Sequence, residues 1–397
     1  MTIDAIELAQ ALIRQPSVTP DAGAAMDVYE RALTGMGFLT ERMKFGVVDN
    51  LYARFGDEGP NFCFAGHLDV VPVGDAGGWT VDPFGAVIKD GWLYGRGAAD
   101  MKAALAAMAA AASAYIGAPG RKRGSVSFLI TGDEEGPALD GTRRALQRLK
   151  AAGETLDHCL VGEPTSVERV GDTIKNGRRG SLNAHVISVG RQGHVAYPKR
   201  AANPLGPLLE FLNAARTRPL DLGAPGFEAS NLEVTTVDVG NPAHNVIPAK
   251  AEARLNIRFN TNHSGAMLLA WLSELCVSTE GKYPGTDLQL TARASGEPFY
   301  TAPGAFTDLL AQAVQDVVGA APALSTTGGT SDARYIKDYC PVAELGLQNA
   351  TAHMVDERVR VDDVRALANI YERVLQRYFA APPPRIERAP ADLVPAQ

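Results

Sequence analysis

Histidines and carboxylates in five separate segments have the residue types that a pair of metal ions requires. His67 and Asp69 lie in Gly66-His67-Leu68-Asp69-Val70-Val71-Pro72, and Asp100 lies in Gly95-Arg96-Gly97-Ala98-Ala99-Asp100-Met101-Lys102. Glu134 and Glu135 are adjacent in Thr131-Gly132-Asp133-Glu134-Glu135-Gly136, Glu163 precedes Pro164, and His353 opens His353-Met354-Val355-Asp356-Glu357. Zinc in open catalytic sites takes imidazole nitrogen and carboxylate oxygen. Two imidazoles and three carboxylates can hold two ions if one carboxylate bridges. Asp100, Glu135 and Glu163, with one hydroxide, would bring two divalent ions close to neutrality. Metal binding can lower the pKa of water from roughly 15.7 to about 7, on the order of 12 kcal/mol toward hydroxide, and amide hydrolysis needs that help. A general acid–base group must stand beside the metals. Glu134 is the candidate, with its neighbour Glu135 left to bind metal, and Asp69 is near enough to His67 to orient its imidazole.

Each piece alone has a plainer reading. A His-x-Asp is usually a surface pair, and a Glu-Glu after a strand a solvated loop. Asp100 is also a good N-cap for the alanine-rich stretch behind it, and Glu163 a turn residue. Their joint occurrence at the ends of strand-like runs favours one site, because open α/β sheets bind ligands at the carboxyl ends of their strands.

The elements that must position these residues follow from hydrophobic periodicity. Helical patterns cover 3–14, 23–36 and 140–151, and strand-like runs cover 50–55, 61–66, 125–131 and 157–161. The uncharged run from Ala103 has the length of a membrane span but is mostly alanine, and Pro119-Gly120 stops it, so it reads as a helix buried against a sheet. This alternation predicts an α/β fold with a mixed sheet. Past Gly180 the order becomes strand 181–190, helix 203–215, strands 231–239 and 247–259, helix 263–278 and strand 287–293. That is the order of a split βαβ, ferredoxin-like α+β domain, inserted over 180–292. The catalytic domain is then 1–179 with 293–380, closing with helices at 304–318 and 361–379, and the Pro-rich 381–397 reads as a disordered tail.

Composition narrows the classes. The chain has 397 residues, 46% hydrophobic and 21% charged, which suits a soluble globular protein of two or three domains. A net charge of −7 argues against nucleic acid as a partner, and Arg-Lys-Arg at 121–123 reads as a solvated loop. Cys63, Cys159, Cys276 and Cys340 are too far apart in sequence for a metal knuckle or redox pair, which fits a reducing compartment. The acidic N-terminus is unlike a signal peptide. A cytoplasmic protein without membrane contact is expected. Gly328-Gly329-Thr330-Ser331-Asp332 lacks the lysine of a phosphate loop, and Gly95-x-Gly97 lacks the third glycine of a dinucleotide fingerprint.

These motifs resemble the dinuclear zinc metallopeptidase family that includes aminoacylases, acetylornithine deacetylases and glutamate carboxypeptidases, over about residues 1–380. The resemblance implies that His67 and Glu163 hold one zinc ion, Glu135 and His353 the other, that Asp100 bridges, and that Glu134 is the base. Cobalt or manganese is an alternative occupant. Within the family the chain is most similar to the branch that hydrolyses N-succinyl-LL-2,6-diaminopimelate in lysine and diaminopimelate synthesis. The similarity is carried by Lys175–Ser181, Gln192–Pro198, Asn245–Pro248 and Ser325–Asp332. Acetylornithine deacetylases more often carry His-Ser-Ser where this chain has His194-Val195-Ala196. A substrate rich in carboxylates suits bidentate Arg178 and Arg258, with Tyr197, Asn245, Gly329, Thr330, Ser331 and Asn349 as neutral contacts. Arg258 is equally a residue for a salt bridge on a lid strand. The family further implies a homodimer joined through 180–292, in which His194 reaches the partner subunit's site and stabilises an oxyanion. Its plainer reading is a turn histidine. Another N-acyl amino acid or a dipeptide as substrate, or a non-catalytic role on the same scaffold, are the alternatives.

Overall fold

The computed structural model describes residues 2–120 and 122–384, so Arg121 and the tail expectation for 385–397 lie outside the described residues. The chain forms two compact units. One comprises the chain up to Asn176, Thr301–Ser325 and the chain from Ser331 onward; the other is Gly177–Tyr300 with Thr326–Thr330.

The first unit is built on an eight-stranded mixed sheet in the order Leu39–Phe45, Val48–Phe55, Ser125–Thr131, Asn61–His67, His158–Val161, Val342–Glu344, Thr173–Lys175, Ala323–Ser325. Its central strands are continuous apolar runs, and Asn61–His67 and Ser125–Thr131 are buried along their whole length, as strands covered on both faces must be. Asn61–His67 runs parallel to both Ser125–Thr131 and His158–Val161, which puts the carboxyl ends of all three on one edge.

The alanine-rich run forms a helix over Ala103–Gly117, buried from Ala103 to Met108. Small side chains let it lie close to the sheet and to the helices Ala5–Ile13 and Val361–Ala380. Gly66 and Gly162, near the ends of two central strands, leave room for Met101: a Cβ at either would strike the Met101 thioether chain. Among the described residues no helix is long and apolar enough to cross a membrane.

The second unit has a four-stranded antiparallel sheet in the order Asn231–Asp238, Lys250–Phe259, Gly180–Val189, Asp287–Gly296, with helices Leu205–Thr217 and Gly265–Glu280. In chain order the strands lie 2-3-1-4, the arrangement of a split βαβ unit. Its own core includes Leu182, Val186, Phe211, Ile257, Phe259 and Leu272. The unit starts before the sequence-based boundary and ends beyond it, because Gly177–Arg178 pairs with Phe299–Tyr300.

Candidate metal centre

The parallel strands deliver the first candidate ligands. His67 ends Asn61–His67, Glu134 and Glu135 follow Ser125–Thr131, and Glu163 follows His158–Val161. Asp100 arrives on an irregular turn, Ala98–Lys102, that precedes the alanine helix. Its backbone is extended and it makes no cap contact with that helix, so the N-cap reading of Asp100 gives way. His353 sits in a turn with left-handed backbone (φ 62°).

These side chains converge. Asp100 lies between the two histidines, with Oδ1 3.1 Å from His67 Nε2 and Oδ2 3.3 Å from His353 Nε2. His353 Nε2 is 2.7 Å from Glu135 Oε1, and His67 Nε2 is 3.8 Å from Glu163 Oε1. Two overlapping groups have ligand atoms all within 4.8 Å of one another: His67, Asp100 and Glu135, and His67, Glu134 and Glu163.

Asp69 meets the His67 ring through its main chain. The main-chain oxygen of Asp69 pairs with His67 Nδ1 at 2.8 Å, whereas its carboxylate is 3.7 Å from that nitrogen. The carboxylate instead accepts from the backbone N–H groups of Glu134 (3.2 Å) and Glu135 (3.0 Å). One residue therefore sets both the histidine ring, leaving Nε2 toward the cluster, and the Glu134-Glu135 turn. Asp133 continues that turn by accepting from the N–H groups of Ala138, Leu139 and Asp140 at 2.9–3.1 Å.

The electrostatics are those of a site with too many carboxylates for its own cations. Burial pushes the Glu134 and Glu163 carboxyls well above their ordinary range, reinforced by Asp332 at Glu134 and by Asp100 and Glu134 at Glu163. Burial also raises Asp69 to about 6, against the pull of His67 and the two amides. Burial raises Asp100 too, but His353 and His67 outweigh it and hold its carboxyl well below the usual range. Hydrogen bonds to Asp100 and Glu135 push His353 up to about 10. At His67 burial opposes the charged form, yet Asp100, Glu163 and Asp69 carry its pKa well above the ordinary value.

Glu163 Oε1 is buried with no hydrogen-bond partner among the described residues. A buried carboxylate oxygen without a donor is costly, and a cation removes that cost. The nitrogen and oxygen donors, the two-sided Asp100 and the orphaned Glu163 oxygen together fit a pair of divalent ions.

The remaining sequence-predicted residues divide between the units. Ser331 and Asn349 belong to the first; Arg178, His194, Tyr197, Asn245, Arg258, Gly329 and Thr330 belong to the second. Ser331 is fully buried and its hydroxyl donates to Glu344, so that hydroxyl is committed inside the protein rather than turned to a substrate. Asn349 is exposed. Arg178 is 8% exposed and donates from Nη1 to the Gly329 oxygen at 3.2 Å. Gly328 (φ 104°) is pressed against that guanidinium, with no space for a side chain. Arg258 lies on Lys250–Phe259, where burial and the like charge of Arg179 lower its pKa. His194 and Asn245 are brought together by the short pairing of Gly193–His194 with Val246–Ile247, and the Tyr197 ring lies 5.7 Å from that of His194.

Arg96, Asp332, Arg334 and Glu357 were not legible as site residues in the sequence. All four are buried charged residues around the cluster's turns. Their only sequence signal was proximity to the motifs, which does not separate a buried charge from a solvated one.

The sequence pattern of Peptidase family M20/M25/M40 matches residues 63–377, and the chain belongs to that family. A protein of Caulobacter sp. (strain K31) named succinyl-diaminopimelate desuccinylase is 58% identical over 381 residues, 96% of this chain and 97% of that protein. Among solved structures, the M20 family metallo-carboxypeptidase Sso-CP2 of Sulfolobus solfataricus superposes with a TM-score of 0.78 at 16% identity, over 95% of this chain and 99% of that one. A Bacillus subtilis protein described as a dinuclear metal binding peptidase from the M20 family gives 0.71 at 14% identity, over 95% and 98%. At such identities the structural likeness speaks for the fold.

Proposed function

We propose that this protein is a metal-dependent amidohydrolase that converts N-succinyl-LL-2,6-diaminopimelate to succinate and LL-2,6-diaminopimelate, in lysine and diaminopimelate synthesis. The observation that carries the substrate is the 58% identity, over nearly the full length of both chains, to a protein named for that reaction. The site supports the reaction class independently, since it gathers histidines and carboxylates at one sheet edge.

In this reading His67 and Glu163 would hold one ion and Glu135 and His353 the other, with Asp100, which lies between the two histidines, available to both. Zinc is the proposed metal, two ions per subunit, with cobalt or manganese able to take the same donors. When bound, the ions supply Lewis-acid polarisation and a lowered pKa for water.

The chain's own residues do the rest. Glu134 takes a proton from water at its carboxylate and returns it to the leaving nitrogen. Its position is fixed by the Asp69 carboxylate through the Glu134 N–H. Arg178, braced by the Gly329 oxygen, and Arg258 are assigned to the substrate's carboxylates, with Tyr197, Asn245, Thr330 and Asn349 as neutral contacts. His194 Nδ1 accepts from the Ala196 N–H at 3.0 Å, which puts the ring proton on Nε2. That exposed N–H suits donation to a developing oxyanion.

A homodimer joined through the second unit is part of the proposal, with His194 serving the partner subunit. The unit supports a partner in exposing Leu209, Met267 and Val277 on its helices and Val237 on an edge strand. Cys63, Cys159, Cys276 and Cys340 are all buried, and buried thiols of this kind support a reducing, cytoplasmic setting.

The reading is tested by a substrate panel on zinc-loaded protein. N-succinyl-LL-2,6-diaminopimelate should be hydrolysed with a higher kcat/KM than N-acetylornithine or simple dipeptides. A preference for acetylornithine would reassign the substrate while leaving the reaction class.

A further inference from the structure

One buried ion pair outside the ligand set ties together the two turns that carry Asp100 and His353. The Glu357 carboxylate receives four hydrogen bonds. Oε1 accepts from the N–H groups of Ala99 (2.8 Å) and Asp100 (3.0 Å), and Oε2 accepts from the Gly97 N–H (3.0 Å) and Arg96 Nη1 (2.7 Å). A carboxylate offers about four lone-pair sites, so Glu357 is saturated and has nothing left for a metal. The Glu357 main chain adds a further tie, accepting from Gly95 N at 2.9 Å.

Arg96 works on the other turn. Besides meeting Glu357, it donates to the main-chain oxygens of Met354 (3.2 Å), Pro72 (3.3 Å) and, at 3.5 Å, His353. Its guanidinium also lies over the Trp79 ring at 5.3 Å. Both side chains are essentially excluded from solvent. The turn they brace is one that chain preference alone does not favour: His353 and Asp356 both have left-handed backbone (φ 62° and 57°). Asp356 is pinned separately, accepting from the Thr80 N–H at 2.8 Å.

We propose that Glu357 and Arg96 are metal-positioning residues. Glu357 fixes the backbone that presents Asp100, Arg96 fixes the backbone that presents His353, and their ion pair sets the separation of these two ligands before an ion arrives. The inference rests on the ligand assignment above. It predicts an asymmetry: the ion assigned to Glu135, His353 and Asp100 depends on the pair, while the ion assigned to His67 and Glu163 gains only the support reaching Asp100.

Glu357→Gln keeps the shape but turns an NH2 group toward two of the four donors. Arg96→Lys keeps the charge facing Glu357 but loses the planar fork that spans Met354, Pro72 and His353. The test is zinc titration of the metal-free full-length protein against a competing chelator, resolving the two binding steps, with no substrate present. Wild type should bind two ions. In R96K one step should weaken by roughly 10–100-fold, the usual effect of removing a residue that orients a ligand, with the other changed far less, whereas in E357Q, which loosens the shared Asp100, both steps should weaken. Tyr378→Phe, which removes a remote core hydrogen bond to His158, is the stability control and should leave both steps unchanged.

Wild-type affinity at both steps in E357Q or R96K would overturn the proposal, as would equal weakening of both steps in R96K or a matching loss in Y378F. If E357Q does not fold, R96K carries the same comparison. Fewer than two ions on the wild type would instead contradict the ligand assignment itself, so the two failures are distinguishable.

Discussion

Glu134 and Glu135 are chemically identical neighbours with different assignments, and the backbone decides between them. Glu135 reaches His353, whereas Glu134 is near His67 and Glu163 and also feels buried Asp332. Glu134→Gln should therefore retain two ions by metal analysis while turnover falls roughly 10²–10⁴-fold, the usual range for a positioned acid–base group. Loss of an ion in that variant would make Glu134 a ligand instead. A second residue-scale prediction lies far from the metals. Burial among apolar groups, only partly opposed by Asp157, lowers His158 to about 4, and its Nδ1 pairs with the Tyr378 hydroxyl at 3.0 Å. The unfolded chain takes up this proton near pH 6.5 and the folded one only near 4. The neutral imidazole's contribution is thus fully present above pH 6.5 and is lost as pH falls toward 4, by about 3 kcal/mol at most. Urea unfolding of wild type and His158→Asn between pH 7.5 and 4.5 reads this out: the variant should show the shallower decline, and parallel curves would remove His158 as the cause. At this scale the clustered histidines and acids were legible because histidine and paired acids beside glycines are chemically pointed. The second role of Asp69 and the clamp of Glu357 were not, since they consist of hydrogen bonds to main-chain groups that leave no spacing pattern.

Among the elements, the alanine helix is the clearest case of composition read through packing. Its length allowed a membrane span, but its side chains are too small to favour lipid, and it lies buried on the sheet. Ala107 is fully buried, so Ala107→Leu should cost about 1–3 kcal/mol by overpacking, measurable as a lowered denaturant midpoint. A neutral result would mean the helix is less tightly seated than its burial indicates. The long helices and the central strands were legible from their periodicity. The strand Leu39–Phe45 was missed because it is an edge, carrying Glu41, Arg42 and Lys44 with Leu39 82% exposed. Thr173–Lys175, Ala323–Ser325 and Val342–Glu344 are three residues each, too short to show a period, yet they complete the sheet. Ser331 was misread for a related reason: a hydroxyl in a glycine-rich loop looks available, and only the fold reveals Glu344 behind it.

For the whole molecule, the change of pattern past Gly180 announced a second unit, while its edges depended on the pairing of Gly177–Arg178 with Phe299–Tyr300, which no local signal marks. The first unit carries a cluster of carboxylates held together against their own repulsion, so metal should stabilise it. At free zinc about 100 times the dissociation constant, the folded state gains about 2.7 kcal/mol per site. Stripping metal should lower Tm, and zinc should restore it. In the proposed reaction this cluster hydrolyses the succinyl amide of a diaminopimelate through bound metal. The most direct measurement is succinate release from N-succinyl-LL-2,6-diaminopimelate by metal-stripped protein as zinc is added back. The prediction is no release without metal and turnover that rises with zinc occupancy and saturates once two ions per chain are bound. No succinate at full zinc occupancy, or equal release with and without metal, would contradict it.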